Sequence, residues 1–457
     1  MLNEAFLKRM KDILGSECEA FLRALEEPSV KGIRVNSLKC GVKEFADSAT
    51  LPISPLPYAD DGFILRDQGG IGNTPEHHAG MIYVQDPGAM ATARAINIPD
   101  GIRVCDLCAA PGGKSGQVAA KIPNGFLLSN EYVPKRAKTV VSNFERLGIR
   151  RAIVTSLDTA DIAKLYRDFF DLVIADVPCS GEGMFRKYED ALTEWSEENV
   201  HISAKRQADI IRNAARIVKP NGHIIYSTCT YSIEENEAVI DSFLSEYSEF
   251  SLVPVKDELI PKTRDGIAFE GAKTNNLHLA RRFYPHVSEG EGQFIAVLRR
   301  AQGDAEKQTI LYTDASKKPS KAEEEAVKKF FRESLIEAPV GKLIKVGENL
   351  VFSEHGVDIP PRSVFSAGVL VGEVRGNMLF PSHQFFSAYG RLFKRQENLT
   401  RRDARVAAYL RGEEIEAVDT SSSGFVAVLF EGAPLGGGKA SGGRIKNHYP
   451  KGLRTKG

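Results

Sequence analysis

Apolar and polar positions follow two different periods along this chain, and the changes of period divide it. Leu2, Phe6, Met10, Ile13 and Leu14 fall on one helical face before Gly15 stops the run. Two short helices are therefore predicted within the first 27 residues, the second opened by a capping box of Ser16 and Glu19. From Ser29 to about Tyr83 the pattern is irregular and strand-like, with Ile33-Arg34-Val35 and Phe63-Ile64-Leu65 on either side of a proline-rich stretch at 51–57. That predicts a small α+β module. From about residue 100, apolar runs at 102–107, 126–128, 152–154, 172–175 and 223–226 alternate with helical stretches of roughly 10 to 20 residues, and runs at 252–255 and 294–298 follow. Such alternation predicts an α/β domain: a doubly wound, mainly parallel seven-stranded sheet with helices on both faces. Residues 301–335 are polar and charge-rich (Lys317, Lys318, Lys321, Glu323, Glu324, Glu325) and read as a linker running into a helix. Short strands at 342–346, 368–372 and 424–430, in a region with frequent glycine, predict a compact β-rich module at the end. The expected domains are thus 1–90, 91–300, the linker 301–335, and 336–457.

Composition narrows the class of protein without choosing a function. With 457 residues, 42% hydrophobic and 26% charged, this is an ordinary folded chain and not a collagen-like, coiled-coil or low-complexity one. Sixty basic residues balance sixty acidic ones, which excludes wholesale polycationic binding but leaves room for a local basic face. One candidate face is 436–457, where Lys439, Arg444, Lys446, Lys451, Arg454 and Lys456 meet no acidic residue. With His448 and Tyr449 among them, these suit phosphate contacts and base stacking; a solvated end is the plain alternative. No stretch is apolar enough for a membrane span, the start is mixed with charges, and six scattered cysteines make no disulfide scaffold. A cytoplasmic protein with reduced thiols is expected, away from membranes.

The first chemical motif is Asp106-Leu107-Cys108-Ala109-Ala110-Pro111-Gly112-Gly113-Lys114-Ser115, set between a predicted strand and a predicted helix. A glycine turn there lets backbone N–H groups approach a ligand. It is not a phosphate-binding P-loop, because Cys108 stands where that motif needs its first glycine. The second strand ends at Glu131, where doubly wound folds place a ribose-binding carboxylate; an exposed loop acid is the other reading. Asp158 ends the third strand. The fourth ends in Asp176-Val177-Pro178-Cys179-Ser180 and the fifth in Ser227-Thr228-Cys229-Thr230, followed by Ser232 and Glu235 as a second capping box. One strand-end cysteine is more often a buried small hydrophobe than a nucleophile, but two beside one carboxylate in one crevice point to thiol chemistry. A positive charge is needed to lower a thiol pKa there, and Lys114 is a candidate source.

These motifs resemble the Sun/Nop-type RNA cytosine-5 methyltransferases, most of all their bacterial RsmF branch, over much of the chain. The resemblance is carried by Cys108 to Ser115, Glu131, Asp158, Asp176, Pro178-Cys179 and Thr228-Cys229, with support from Arg34-Val35-Asn36, Tyr83-Val84-Gln85, Pro285-His286 and Gly290-Glu291-Gly292. The tail Lys446-Asn447-His448-Tyr449-Pro450-Lys451-Gly452 resembles the RNA-binding, PUA-like end of that branch. Asp86-Pro87-Gly88-Ala89-Met90 departs from the glutamate and serines of many relatives. The resemblance implies S-adenosylmethionine as cofactor, its methionine end held by Ala109, Ala110, Pro111, Gly112, Gly113, Lys114 and Ser115, its ribose by Glu131 and its adenine by Asp158, with Asp176 at the methyl. It implies Cys229 as nucleophile and Cys179 as release group, which spacing alone does not rank, and makes Asp176 the candidate acid at cytosine N3. Arg34, Asn36, Lys446, His448, Tyr449 and Lys451 become candidate RNA contacts. The expected partner is small-subunit (16S) ribosomal RNA or the subunit itself, met by a monomer that needs no metal. Transfer RNA is the alternative substrate, and a non-catalytic assembly factor the alternative class.

Other residues carry plainer expectations. Cys105 and Cys108 have CxxC spacing but no second ligand pair. His77 and His78 read as packing or surface residues, and Cys18, Cys40 and Trp195, the only tryptophan, as packing residues.

Overall fold

The computed structural model describes residues 2–66, 69–303 and 309–455. Its centre is a ten-stranded sheet. Five strands run parallel, in the spatial order Ala152–Thr155, Phe126–Asn130, Arg103–Asp106, Phe170–Asp176, Val218–Thr228. Gln293–Arg300 pairs antiparallel with the last of these and carries Phe250–Val253 on its far side. Those seven are the sheet the sequence predicts. Three strands extend it: Arg281–Phe283 and Arg264–Asp265 at one edge, and Val364–Ala367, antiparallel to Ala152–Thr155, at the other.

The parallel strands are apolar on both faces because helices cover both. Val104, Leu127, Val154, Leu172 and Ile174 pack against Val118, Val140, Phe144 and Leu147 of helices Gly113–Lys121 and Pro134–Leu147. The intervening Cys105, Leu128, Ile153, Val173 and Ala175 pack against Ile162, Ile210, Ile211, Ala214 and Ile240 of helices Thr159–Leu165, Glu197–Ile217 and Glu237–Glu246. All five strands therefore end at one carboxyl edge, where doubly wound folds bind ligands.

The N-terminal module is a four-stranded antiparallel sheet preceded by helices Glu4–Leu14 and Cys18–Glu26. The Ser16–Glu19 capping box is absent: Asn3 caps the first helix, and a 3-10 turn, Gly15–Glu17, leads directly into the second. The proline-rich stretch does contain a strand, Ile53–Leu56, at the sheet's edge, where a proline's missing N–H is tolerated. Both helices pack on the central domain, Phe6 against Trp195 and Phe21 against Tyr231 with ring centroids 5.7 and 5.0 Å apart. Trp195 is thus core.

The C-terminal module begins earlier than its charge pattern implies. The expected linker holds helix Lys321–Ser334, capped by Ser320 and Glu323, whose Ala326, Val327 and Phe330 are buried. Val327 and Phe330 join Phe352, Phe385, Phe393 and Phe425 in one core. Residues 304–308 of that stretch lie outside the described residues. The basic tail is likewise no solvated end: Ala433–Ser441 and Arg444–Asn447 are inner strands of a five-stranded sheet. Lys456 lies outside the described residues. Within the module, burial pulls the His355 imidazole down to about 4. An unfolded chain titrates near 6.5, so it takes up a proton that the folded one refuses, and stability falls as pH drops from about 6.5 toward 4. Between pH 7 and pH 5, wild type should lose about 2 kcal/mol more than His355→Phe in urea unfolding. Equal losses would mean that the imidazole is protonated in place.

Candidate active site at the carboxyl edge of the sheet

Register brings the two cysteine motifs together. Asp176 lies opposite Ser227 on the neighbouring parallel strand, so the segments that follow turn out side by side. Val177 N donates to Ser227 O at 3.0 Å and Gly183 N to Cys229 O at 2.9 Å. The Cys179 and Cys229 sulfurs are 3.3 Å apart, both half-buried. The hydrogen bond with Cys229, followed by burial, pushes the Cys179 thiol well above its ordinary range. Asp176 accepts from the Ser227 hydroxyl at 2.7 Å and pairs with Lys114 Nζ at 2.8 Å. Burial draws the Lys114 ammonium down, but the Asp176 carboxylate outweighs it and the pKa lies above its usual value; the Cys229 sulfur adds to that pull. Lys114 therefore is the cation beside the thiols.

The glycine loop is built differently from the expectation. Gly112 turns at φ +104°, and helix Gly113–Lys121 starts behind it. Gly113 is buried against the Tyr83 ring, where a Cβ would lie 3.1 Å away. Ser115 is fully buried: its hydroxyl donates to Asp106 at 2.6 Å and meets Ser129 at 2.9 Å, so it holds a carboxyl in place of a ligand. Burial pushes Asp106 up to about 7. The sequence reading gave Asp106 no role, although it ends its strand just as Asp176 does.

Beside this loop opens a cavity of about 800 Å³. Glu131 and Asp158 line it together, with Leu107, Cys108, Val133 and Ile210 as its less polar wall and Pro178 on the side of the thiols. Residues 109–115 contribute none of its lining. Glu131 is nearly buried and accepts from Val133 N at 2.9 Å and Ala110 N at 3.3 Å, while exposed Asp158 caps helix Thr159–Leu165 through Ala160 N at 2.8 Å. Two carboxylates at adjacent strand ends beside a less polar wall suit a group with hydroxyls, an amine and an apolar ring, as an adenosine has. Glu131→Ala should weaken S-adenosylmethionine binding about 10- to 100-fold by calorimetry. Unchanged affinity would remove Glu131 from the site.

Three candidate RNA contacts are turned inward. Arg34 is fully buried, Nε on Gln85 Oε1 at 3.2 Å and the guanidinium 5.7 Å from the Tyr83 centroid, and burial pulls it down to about 10. Asn36 donates to Gly80 O and Leu147 O, both at 2.9 Å, tying the N-terminal module to helix Pro134–Leu147. Tyr449 is buried with its hydroxyl 2.7 Å from His78 Nδ1. Arg34 is spent inside the N-terminal sheet, Asn36 and Tyr449 join modules, and all three side chains are buried. Lys446 and Lys451 are exposed and His448 is half-buried, 6.1 Å from the Phe425 ring. The Ser232–Glu235 box is also absent, because the helix starts at Glu237; Ser232 bonds Glu234, and Glu235 turns toward Ser180.

A doubly wound sheet in this strand order, with an acidic crevice at its carboxyl edge, defines a Rossmann-like methyltransferase. Residues 93–299 match the family described as 16S rRNA methyltransferase RsmB/F, 2–87 the N-terminal domain of 16S rRNA methyltransferase RsmF, and 396–455 the methyltransferase RsmF PUA domain. Ribosomal RNA small subunit methyltransferase F of Vibrio campbellii is 31% identical over 98% of this chain and 97% of its own length. The Escherichia coli (strain SE11) protein of that name is 30% identical over 98% and 96%. The chain belongs to the ribosomal RNA small subunit methyltransferase F family. Among solved structures, a methyltransferase homolog from Pyrococcus horikoshii is 27% identical with a TM-score of 0.58, covering 65% of this chain and 95% of that one. NSun6 from the same organism, 20% identical with a TM-score of 0.56 over 66% and 99%, shares the fold. Family and fold imply S-adenosylmethionine as methyl donor.

Proposed function

We propose that this protein methylates carbon 5 of cytosine in small-subunit (16S) ribosomal RNA, with Cys229 forming a transient bond to carbon 6. The observation that carries the reading is the pair of sulfurs 3.3 Å apart, in the loops that follow the Asp176–Lys114 pair and Ser227 and beside the Glu131–Asp158 crevice. The names of the relatives supply the substrate class.

Carbon 5 of cytosine is a poor nucleophile inside an aromatic ring. A thiolate added at carbon 6 turns it into an enamine carbon that can attack an electrophile. Bound in the crevice, S-adenosylmethionine supplies that electrophile as a sulfonium methyl. The Cys229 sulfur forms the bond to carbon 6, and the Asp176–Lys114 pair meets N3, where charge develops and a proton is taken up. Afterwards the carbon 5 proton must leave and the sulfur–carbon 6 bond must break. Cys179 assists that release, passing a proton to the departing Cys229 sulfur as it accepts the one from carbon 5, while N3 returns its proton to the Asp176–Lys114 pair. The target base has to leave its stack to reach the sulfurs, while exposed Lys446 and Lys451 hold phosphates outside.

The test is methyl transfer from labelled S-adenosylmethionine to 16S ribosomal RNA and to transfer RNA, followed by nucleoside analysis. Labelled 5-methylcytidine in 16S RNA is expected. Label in transfer RNA alone, or on another base, would overturn the reading.

A further inference from the structure

Glu235 touches neither the cofactor crevice nor a reacting sulfur, yet it is fully buried and spends its carboxylate on the loop that carries Cys179. Oε2 accepts from Ser180 N at 2.9 Å and from Gln207 Nε2 at 2.7 Å, and the Ser180 hydroxyl bonds Oε1. Gln207 Nε2 also reaches Pro178 O at 2.9 Å. The peptide before Cys179 and the peptide after it are thus fastened to one carboxylate–carboxamide pair. That pair is in turn anchored to the sheet, because the Tyr226 hydroxyl contacts Glu235 O at 2.5 Å and Gln207 Oε1 at 3.2 Å. The same Ser180 hydroxyl lies 2.9 Å from that of Thr230, the residue after Cys229. One acid therefore fixes the loop of one cysteine and, through a single hydroxyl, its spacing from the other.

An uncharged amide could meet most of these donors, whereas a buried carboxylate is costly to hold. The cost is visible: burial pushes Glu235 up to about 7, against the Ser180 and Gln207 donors, and Glu182 adds to the push. The titratable groups that face it are Glu182, Cys179 and Tyr226, so no neighbouring cation among them offsets the charge. The charge also acts on the thiol of the loop it holds. It opposes a thiolate at Cys179, adding to the hydrogen bond with Cys229 and to burial.

We propose that Glu235 is a positioning residue that clamps Cys179 against Cys229 and, by its charge, keeps the proton of the thiol pair on Cys179, leaving Cys229 free to attack. This rests on the reading of Cys229 as nucleophile, and it explains how two chemically identical side chains in contact acquire different tasks.

The experiment is alkylation by iodoacetamide at pH 7.5, read at each cysteine by peptide mass spectrometry, in wild type, Glu235→Gln and Ser180→Ala, with circular dichroism as the folding control. A buried like charge bonded to the adjacent residue is worth on the order of one pKa unit or more, so Glu235→Gln should raise the rate at Cys179 relative to Cys229 about tenfold. Ser180→Ala cuts the link between the loops and should raise the same ratio severalfold. An unchanged ratio in both variants overturns the proposal, and so does equal acceleration of both thiols, which marks general loosening. Should Glu235→Gln fail to fold, the Ser180→Ala ratio decides alone. The measurement uses no RNA and no methyl transfer, so a wild type that labels no cytosine would overturn the proposed function and leave this ratio as a separate result.

Discussion

Cys229→Ala should yield neither methylated RNA nor a covalent protein–RNA band, with turnover down at least about 10³-fold, as expected when a nucleophile is removed. Cys179→Ala should instead retain RNA as an adduct stable on a denaturing gel. The two outcomes follow from one geometry: the sulfurs are 3.3 Å apart, so the thiol left in either variant still faces the substrate, but only one of them forms the bond. Incubation with tritiated S-adenosylmethionine and ribosomal RNA reads turnover and trapping in one lane. If the band forms with Cys229→Ala instead, the two thiols exchange roles and the clamp on Cys179 acts on the nucleophile. If neither variant traps RNA while wild type turns over, the covalent step is wrong.

Glu237→Ala should cost about 3–5 kcal/mol in urea unfolding, a large share of the stability of an ordinary domain. Arg282 and Glu237 are a fully buried ion pair, with Nε donating to Oε1 at 2.6 Å and the other guanidinium arm donating to Tyr231 O at 2.8 Å and the Tyr284 hydroxyl at 3.1 Å. Glu237 Oε1 also accepts from Ile267 N at 2.9 Å. Removing the acid leaves a guanidinium with no counter-charge on the carbonyl of Tyr231, two residues after Cys229. The effect comes from the stranded charge more than from the lost pair, so Glu237→Leu with Arg282→Met together should recover most of the loss. A single-variant loss under about 1 kcal/mol would show that water reaches the pair.

Much of this was legible in the sequence, and what escaped has physical causes. The seven central strands announced themselves because fully apolar runs alternate with amphipathic helices, and a parallel sheet needs both. Glu131, Asp158 and Asp176 were legible from their places at strand ends. The contact between Cys179 and Cys229 was implied by a shared edge, but its closeness depends on the register that sets Asp176 opposite Ser227. Arg34, Asn36 and Tyr449 were misplaced because polar side chains in loosely patterned segments read as surface, whereas here Arg34 bonds a buried group of its own module and the other two bond groups across module boundaries. Glu235 was hidden by a local pattern: Ser-x-x-Glu marks a helix start, and this helix starts four residues later than that pattern implies. The helix Lys321–Ser334 was expected at the end of a linker, but its place in the C-terminal core was obscured by the charges on its outer face, which outnumber the few buried positions that dock it. Nothing near Val364–Ala367 in the sequence names its distant partner strand.

That last pairing bears on how the protein is made. As the chain leaves the ribosome, Ala152–Thr155 emerges as the outermost parallel strand of the central sheet, with its backbone groups on one side unpaired until Val364–Ala367 is synthesised much later. Ser363 O is what finally engages Ser156 N, only a few residues before Asp158. Throughout that interval the nascent catalytic domain carries a bare edge, open to pairing with a neighbouring nascent copy. A fragment ending near residue 300 would keep that bare edge permanently, and dense polysomes or high expression would favour its self-association.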